Sequence, residues 1–307
     1  MAAPVTEQLH QDAIGLDARP LNEVAELLAR SQSEAATTPL SSLSPICTGA
    51  KAMAQTIRSG GVLRYLAAGS SGLMAASDAL ELGGTYSISA NQIRIHMAGG
   101  LPSSVEMPGD VEDATDNLDR ELAGLSTKDT LITVSASGTT PYTVAAARIA
   151  RAKGATVIGI ANNGETELLQ LSDHSILLST PPELISGSTR MGAGTAQKIA
   201  LNMLSTLMAM ELGHIQDGMM INLRADNEKL RARAKGIVCQ LTGVAPEQAA
   251  SALNAADGNL KCAALMAAGA LVLEEAQAML RSTDDHLRPA LERLKQNQET
   301  INLGDTK

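Results

Sequence analysis

An α/β protein built on a parallel sheet is predicted by three features of this 307-residue sequence. Between about Gly61 and Gly213, short apolar runs alternate with helical patterns, the rhythm of βαβ units. The runs are continuously apolar, as strands covered on both faces are. Segments rich in Gly, Ser, Thr and Pro stand between each run and the helix after it, where chain reversals need turn formers.

Before the first strand, Leu21–Arg30 and Pro45–Ile57 read as helices separated by the Ser/Thr/Pro stretch around Thr37–Ser44, and they brace the domain. Val62–Ala67 is the first strand; Gly69-Ser-Ser-Gly72 is its loop, and Leu73–Leu82 is a helix closed by Gly83-Gly84. A second unit follows, with strand Thr130–Val134, turn Ser135–Thr140 and a helix Pro141–Lys153 that opens on proline. Gly154 ends that helix and Thr156–Ile160 is the next strand. In the third unit Ser175–Leu178 leads through Pro181-Pro182 and the segment Ser186–Thr195 into a long helix stopped by Gly213. Ile199, Met203, Leu204, Leu207 and Met208 repeat there at helical spacing and mark a core-facing stripe. Beyond Met219 only helical patterns remain: Asn227–Val238, Gln248–Ala256, Leu260–Leu273, Glu274–Arg281 and His286–Asn297. The expected division is a brace over residues 1–50, a ligand-binding domain over 51–235 and a small helical domain over 236–307.

Composition removes whole classes of function. The formal net charge of −9 repels phosphate backbones and anionic membranes, so neither nucleic acid nor membrane is an expected partner. The longest apolar stretch, Ala263–Leu273, is interrupted by Gly269 and falls short of the roughly 20 residues of a membrane span. No export signal is readable at the start, which places the protein in the cytoplasm. Cys47, Cys239 and Cys262 are far apart and are read as reduced, partly buried fillers; the five histidines are equally dispersed, so no metal site is expected. With no Phe or Trp and three Tyr, the core is aliphatic, and base-stacking platforms are lacking.

Chemistry concentrates in the three loops. Each follows the carboxyl end of a strand and precedes a helix, the place where open α/β sheets bind ligands. Unpaired N–H groups at a helix start attract anions, and serine or threonine hydroxyls add donors without bulk. One such loop is explained by helix capping. Three together, with Ser70, Ser71, Ser135, Ser137, Thr139, Thr140, Ser188 and Thr189, point to a hydroxylated, phosphorylated small ligand, a sugar phosphate. Arg190 stands among these hydroxyls, where a guanidinium pairs bidentately with phosphate or carboxylate. Neither a dinucleotide fingerprint nor a nucleotide P-loop is present.

The run GSTRMGAGTAQKIALNMLSTLMAMELG (187–213), with AAGSSG (67–72), SASGTTPY (135–142) and NEKLRARA (227–234), resembles the N-acetylmuramic acid 6-phosphate etherases, a family with a sugar-isomerase-type (SIS) domain. The similarity extends along most of the chain, from Thr6-Glu7 to a carboxyl-terminal helical, ubiquitin-associated-like appendage. The resemblance implies a homodimeric, cofactor-free lyase that converts N-acetylmuramic acid 6-phosphate to N-acetylglucosamine 6-phosphate and D-lactate in cell-wall recycling. A proton leaves carbon 2 of the open-chain sugar, lactate leaves carbon 3 and water adds back, which takes an acid and a base. The family's Asp-Ala-Ser-Glu segment matches Asp78-Ala-Leu-Glu81, so Glu81 takes the acid role by resemblance. Its acidic Glu-Gly-Ala-Glu-Asp segment falls on 109–113, where Gly109 stands at the first glutamate; Asp110 is the leading substitute, with Glu106 and Glu183 as alternatives, while Glu112 and Asp113 match the motif's trailing acids and are read as helix caps. Family cations are replaced by Leu73, Thr139 and Gly192. Ser71 and Glu81 are separated by about 15 Å of helix, so one sugar cannot easily touch both, and Glu81 is expected to serve the partner subunit's site. A sugar-phosphate sensor and a phosphosugar isomerase are the other functions compatible with these loops.

Overall fold

The computed structural model describes residues 4–107, 111–223, 225, 227–269 and 272–304, with 298–304 as helical backbone. Its centre is a parallel sheet of β1 (Leu63–Ala67), β2 (Ile93–Met97), β3 (Thr130–Ser135), β4 (Thr156–Ala161) and β5 (His174–Leu177), in the order β2-β1-β3-β4-β5. Ala67 pairs in register with Val134, and Ser135 with Ala161, so the central strands end level and their loops open on one edge. β1 and β3 are buried throughout, which explains their unbroken apolar runs. The sequence reading passed over β2 because Ile93-Arg-Ile-His-Met97 alternates along a half-covered edge strand and carries no continuous apolar run.

Helices cover both faces. Leu66, Leu131 and Val157 point to one face, where they pack on α4 (Leu118–Glu121), α5 (Pro141–Ala152) and α6 (Glu167–Gln170) through Leu118, Leu122, Ala146, Ala147, Ala150 and Leu168. The alanines of α5 let its backbone lie close to the strands. On the other face lies α2 (Leu43–Arg58), where a side chain on Gly49 would meet Leu204 Cδ2 at 3.1 Å and Ile158 Cδ1 at 3.3 Å. Thr56 and Thr130 share a hydrogen bond of 2.7 Å there. α3 (Gly69–Tyr86) and α7 (Gly192–Glu211) belong to this side, and Thr195 of α7 hydrogen-bonds Gln32 of α1 (Leu21–Thr37). At the strand starts Asp129 accepts from the Val62 amide at 2.9 Å, the Ser126 amide at 3.1 Å and Arg64 Nε at 3.2 Å. That buried pair fixes the edge opposite the loops.

Contacts group the described chain into two units, residues 4–81 with 89–207, and 82–88 with 208–304. The second holds a hairpin of β6 (Ile215–Gln216) and β7 (Met219–Met220), turned by Asp217 and Gly218 with φ of 50° and 73°, the left-handed pair of a two-residue turn. α8 (Glu228–Thr242) starts at Asn227, whose side chain accepts from the Leu230 amide at 2.9 Å, and stops at left-handed Gly243. α9 (Pro246–Ala255), α10 (Leu260–Ala267), α11 (Leu273–Arg281) and α12 (Leu287–Gly304) complete the unit around Val238, Leu260, Leu265, Leu280 and Leu291. No helix among the described residues is long and apolar enough to cross a membrane.

Several expectations are corrected. α3 starts at Gly69 and runs through Gly83-Gly84 to Tyr86, because the left-handed residue that ends it is Ser87 (φ 56°). α7 starts at Gly192 and not after Thr195. Of the stripe read on α7, Leu204 and Met208 are buried, while Ile199, Met203 and Leu207 are half-buried; Cys47 is exposed on α2.

Candidate active site

In a sheet ordered 2-1-3-4-5 the chain turns to opposite sides after β1 and after β3, which opens a crevice at their carboxyl ends. Two of the three hydroxyl-bearing segments border that crevice. Ser70 and Ser71, half-buried, occupy the first turn of α3, whose opening amides have no partner within the helix. Gly69 has φ 53°, and a side chain there would come within 2.7 Å of Glu112 Oε1. Glu112 is thus brought from the loop after β2 to the start of α3. Its backbone carbonyl accepts from the Tyr142 amide at 3.1 Å, which ties the same residue to the start of α5.

The loop after β3 is a web of hydroxyls. Ser135, buried at the strand end, hydrogen-bonds Thr140 at 2.9 Å and Ser137 at 3.2 Å, and accepts from the Gly138 amide at 3.0 Å. Ser137 accepts from the Thr139 amide and hydroxyl, both at 3.2 Å. Gly138 has φ 72°, and a side chain on it would strike Thr166 at 2.4 Å. Behind the web, Asn163 donates to the Ser137 carbonyl at 3.3 Å and to Thr6 Oγ1 at 2.9 Å, while the Thr6 amide donates back to Asn163 Oδ1 at 3.3 Å. Sequence reasoning left Thr6 without a role and overlooked Asn163, although polar residues directly after a central strand are a signal of a ligand-facing loop.

The third segment differs. Glu183, 2% exposed, accepts from the Gly192 amide at 2.9 Å and from the Ala193 amide at 2.8 Å. A built-in carboxylate therefore occupies the anion position at the start of α7, and those two amides are not available to a ligand. Ser188 and Thr189 are half-buried in the loop before it, and Arg190 is exposed without an ion pair among the described residues. Asp110 lies outside the described residues. Glu106 is exposed, its amide turned back on Ser104 Oγ.

Glu81 is exposed on α3, one turn beyond the buried Asp78. Asp78 accepts from Tyr65 Oη at 3.0 Å, Asn202 Nδ2 at 3.0 Å and Ser205 Oγ at 2.9 Å. Burial raises its carboxyl above the ordinary value against those three bonds, and Glu81 adds to the rise. Asp78 joins α3 to α7 and so sets the direction in which Glu81 projects. Among the described residues no group of His, Cys, Asp or Glu is arranged to hold a metal.

The five-stranded parallel sheet, with hydroxyl-bearing helix starts at its switch point, defines an α/β domain with a crevice at the strand ends, and a family model for the SIS domain matches residues 82–207. The chain is 38% identical over 288 residues to N-acetylmuramic acid 6-phosphate etherase of Streptomyces avermitilis, covering 93% of each protein. It is also 38% identical over 289 residues to the etherase of Deinococcus radiodurans, covering 93% of this chain and 94% of that one. Among solved structures, a phosphoheptose isomerase from Francisella tularensis superposes with a TM-score of 0.45 at 17% identity, over 62% of this chain and 100% of that one. The chain belongs to the N-acetylmuramic acid 6-phosphate etherase family.

Proposed function

We propose that this enzyme cleaves the lactyl ether of N-acetylmuramic acid 6-phosphate with net addition of water, releasing N-acetylglucosamine 6-phosphate and D-lactate. The observation that carries the reading is Glu112 at the first turn of α3, between the two hydroxyl-bearing loops of the switch point. The phosphate sits on the amides of α3 and the hydroxyls of Ser70, Ser71, Ser135, Ser137, Thr139 and Thr140. Glu112 takes the carbon-2 proton, with Asp110 next along the same segment as the other candidate base. The carbon-3–oxygen bond then breaks, its electron pair leaves with lactate, and Glu81 protonates that oxygen. Water adds across the resulting double bond, its oxygen at carbon 3 and a proton at carbon 2. Ser188, Thr189 and Arg190 hold the sugar and the lactyl carboxylate, since α7's own anion position is filled by Glu183.

The reading includes a cytoplasmic homodimer in which Glu81 serves the partner's site. An exposed apolar strip on α3 supports it: Leu80 is 69% and Leu73 39% exposed, and α7 adds half-buried Ile199, Met203 and Leu207. Mixing Glu81→Gln subunits with Ser135→Ala/Ser137→Ala subunits restores activity if the sites are shared; no recovery in the mixed dimers refutes the arrangement.

The experiment for the reaction is incubation with N-acetylmuramic acid 6-phosphate in deuterated water, following D-lactate and deuterium at carbon 2. Lactate with deuterium is the expected result. Exchange without lactate replaces the reading with an isomerase, and neither signal, with the sugar phosphate still raising the melting temperature, replaces it with a sensor.

A further inference from the structure

Behind the hydroxyl web of the β3 loop lies a buried polar clamp. Thr6 and Asn163 stand 157 residues apart along the chain and are only 3% and 6% exposed. They meet at two points: the Thr6 amide donates to Asn163 Oδ1 at 3.3 Å, and Asn163 Nδ2 donates to Thr6 Oγ1 at 2.9 Å. Two bonds to one side-chain amide settle which way each of its ends faces. With Oδ1 committed to the Thr6 N–H, Nδ2 is the end that reaches the loop, where it donates to the Ala136 carbonyl at 3.4 Å and to the Ser137 carbonyl at 3.3 Å. A turned amide would set Oδ1 against those two carbonyls, acceptor against acceptor. The Asn162 amide draws on the Ala136 carbonyl as well, at 3.0 Å. Thr6 is the buried residue of the short turn Val5–Glu7, whose Val5 and Glu7 are exposed, so this turn adds no apolar packing to the core.

Holding those carbonyls sets the opposite side of the loop. A peptide group is planar and trans, so its N–H points away from its C=O. With the Ala136 and Ser137 carbonyls drawn back onto Asn163, the amides of Ser137 and Gly138 turn to the other side. There the Gly138 amide donates to Ser135 Oγ at 3.0 Å. That bond occupies a lone pair of the oxygen and biases the hydroxyl toward donating, the direction a phosphate oxygen needs. We propose that Thr6 and Asn163 are positioning residues for the phosphate: Thr6 orients the Asn163 amide, and Asn163 holds the β3 loop with its N–H groups and hydroxyls turned to the phosphate. Neither side chain touches the sugar; both act through Ser135, Ser137 and Gly138. Both roles rest on the reading of this loop as the phosphate cradle, and neither depends on which bond of the sugar is cut.

Titration calorimetry of the full-length protein with N-acetylglucosamine 6-phosphate tests it, together with KM and kcat for lactate release. Thr6→Val keeps the shape and the amide but removes Oγ1; Asn163→Asp keeps the shape but sets a carboxylate oxygen against the loop carbonyls. Each is expected to weaken N-acetylglucosamine 6-phosphate roughly tenfold and to raise KM by a similar factor, with kcat within about threefold of the parent. Thr6→Ser, which restores the acceptor, is expected to bind like the parent. A purely structural role would lower the folded, active fraction, and with it kcat, without moving KM. Parent affinity in Thr6→Val or in Asn163→Asp overturns the proposal, as does a Thr6→Ser variant as weak as Thr6→Val, or a loss confined to kcat. If the parent binds the sugar phosphate but releases no lactate, the etherase reading fails while the binding measurements still decide the clamp. A parent that does not bind it at millimolar concentration overturns the clamp as well.

Discussion

Replacing Gly69 by alanine probes the contact on which the base assignment stands. The residue has φ 53°, where an L side chain costs roughly 1–2 kcal/mol. Its new methyl group would lie 2.7 Å from Glu112 Oε1, against 3.4–4 Å for ordinary contact, so the carboxylate must withdraw by most of an ångström. The neighbour is the far end of a flexible side chain, so the stability cost stays near the backbone figure, a fall in Tm of a few degrees. The chemical cost is larger, because a displacement of about 1 Å in a reacting group lowers the rate roughly 100-fold. The assay is initial-rate release of D-lactate, with Tm measured in parallel, for Gly69→Ala, Glu112→Gln and the double variant. If Gly69→Ala acts through Glu112, the double variant loses no more kcat than Glu112→Gln alone. Multiplying losses, or full kcat in Glu112→Gln, refute the reasoning.

Three further outcomes follow from the same geometry. Glu81→Gln lowers lactate release about 10²–10⁴-fold but leaves deuterium exchange at carbon 2, since acid and base act on different atoms; loss of exchange in a folded variant contradicts the division. Asp129→Ala strands Arg64 and two backbone amides in a buried site and destabilises the protein by about 3–5 kcal/mol in urea titration, where a change under 1 kcal/mol tells against the buried pair. Burial, helped by the charge of Arg64, holds His96 below its ordinary value of 6.5, so the folded state binds fewer protons there than the unfolded chain. Its contribution is present above pH 6.5 and is lost as pH falls through that value toward the lower folded one. Comparing wild type with His96→Gln at pH 7.5 and pH 5 checks the sign, and equal pH slopes reject it.

The central strands were legible because burial on both faces demands unbroken apolar runs, as in Thr130–Ser135. The hydroxyl loops were legible because helix starts at strand ends leave few alternatives. The limits of α3 were not, since Gly69 and Gly83-Gly84 look alike as sequence, and only the hydrogen bonding around Ser87 decides where the helix stops. Glu183 read as a free acid next to a binding loop, whereas folding places both its oxygens on the amides of α7.

Local pattern alone therefore determined the α/β class, the helical tail and the chemical character of the loops, because side-chain periodicity, capping and turn chemistry act within a few residues. Tertiary structure decided which carboxylate meets the crevice. Glu112 and Gly69 are far apart along the chain, and their contact arises only when the parallel crossovers bring the loop after β2 back to the start of α3. The same holds for Asn163 on Thr6 and for Asp78 between α3 and α7, whose bonds span the sheet and its helices. Such long-range pairings depend on the closure of the whole sheet, which no short stretch of sequence encodes.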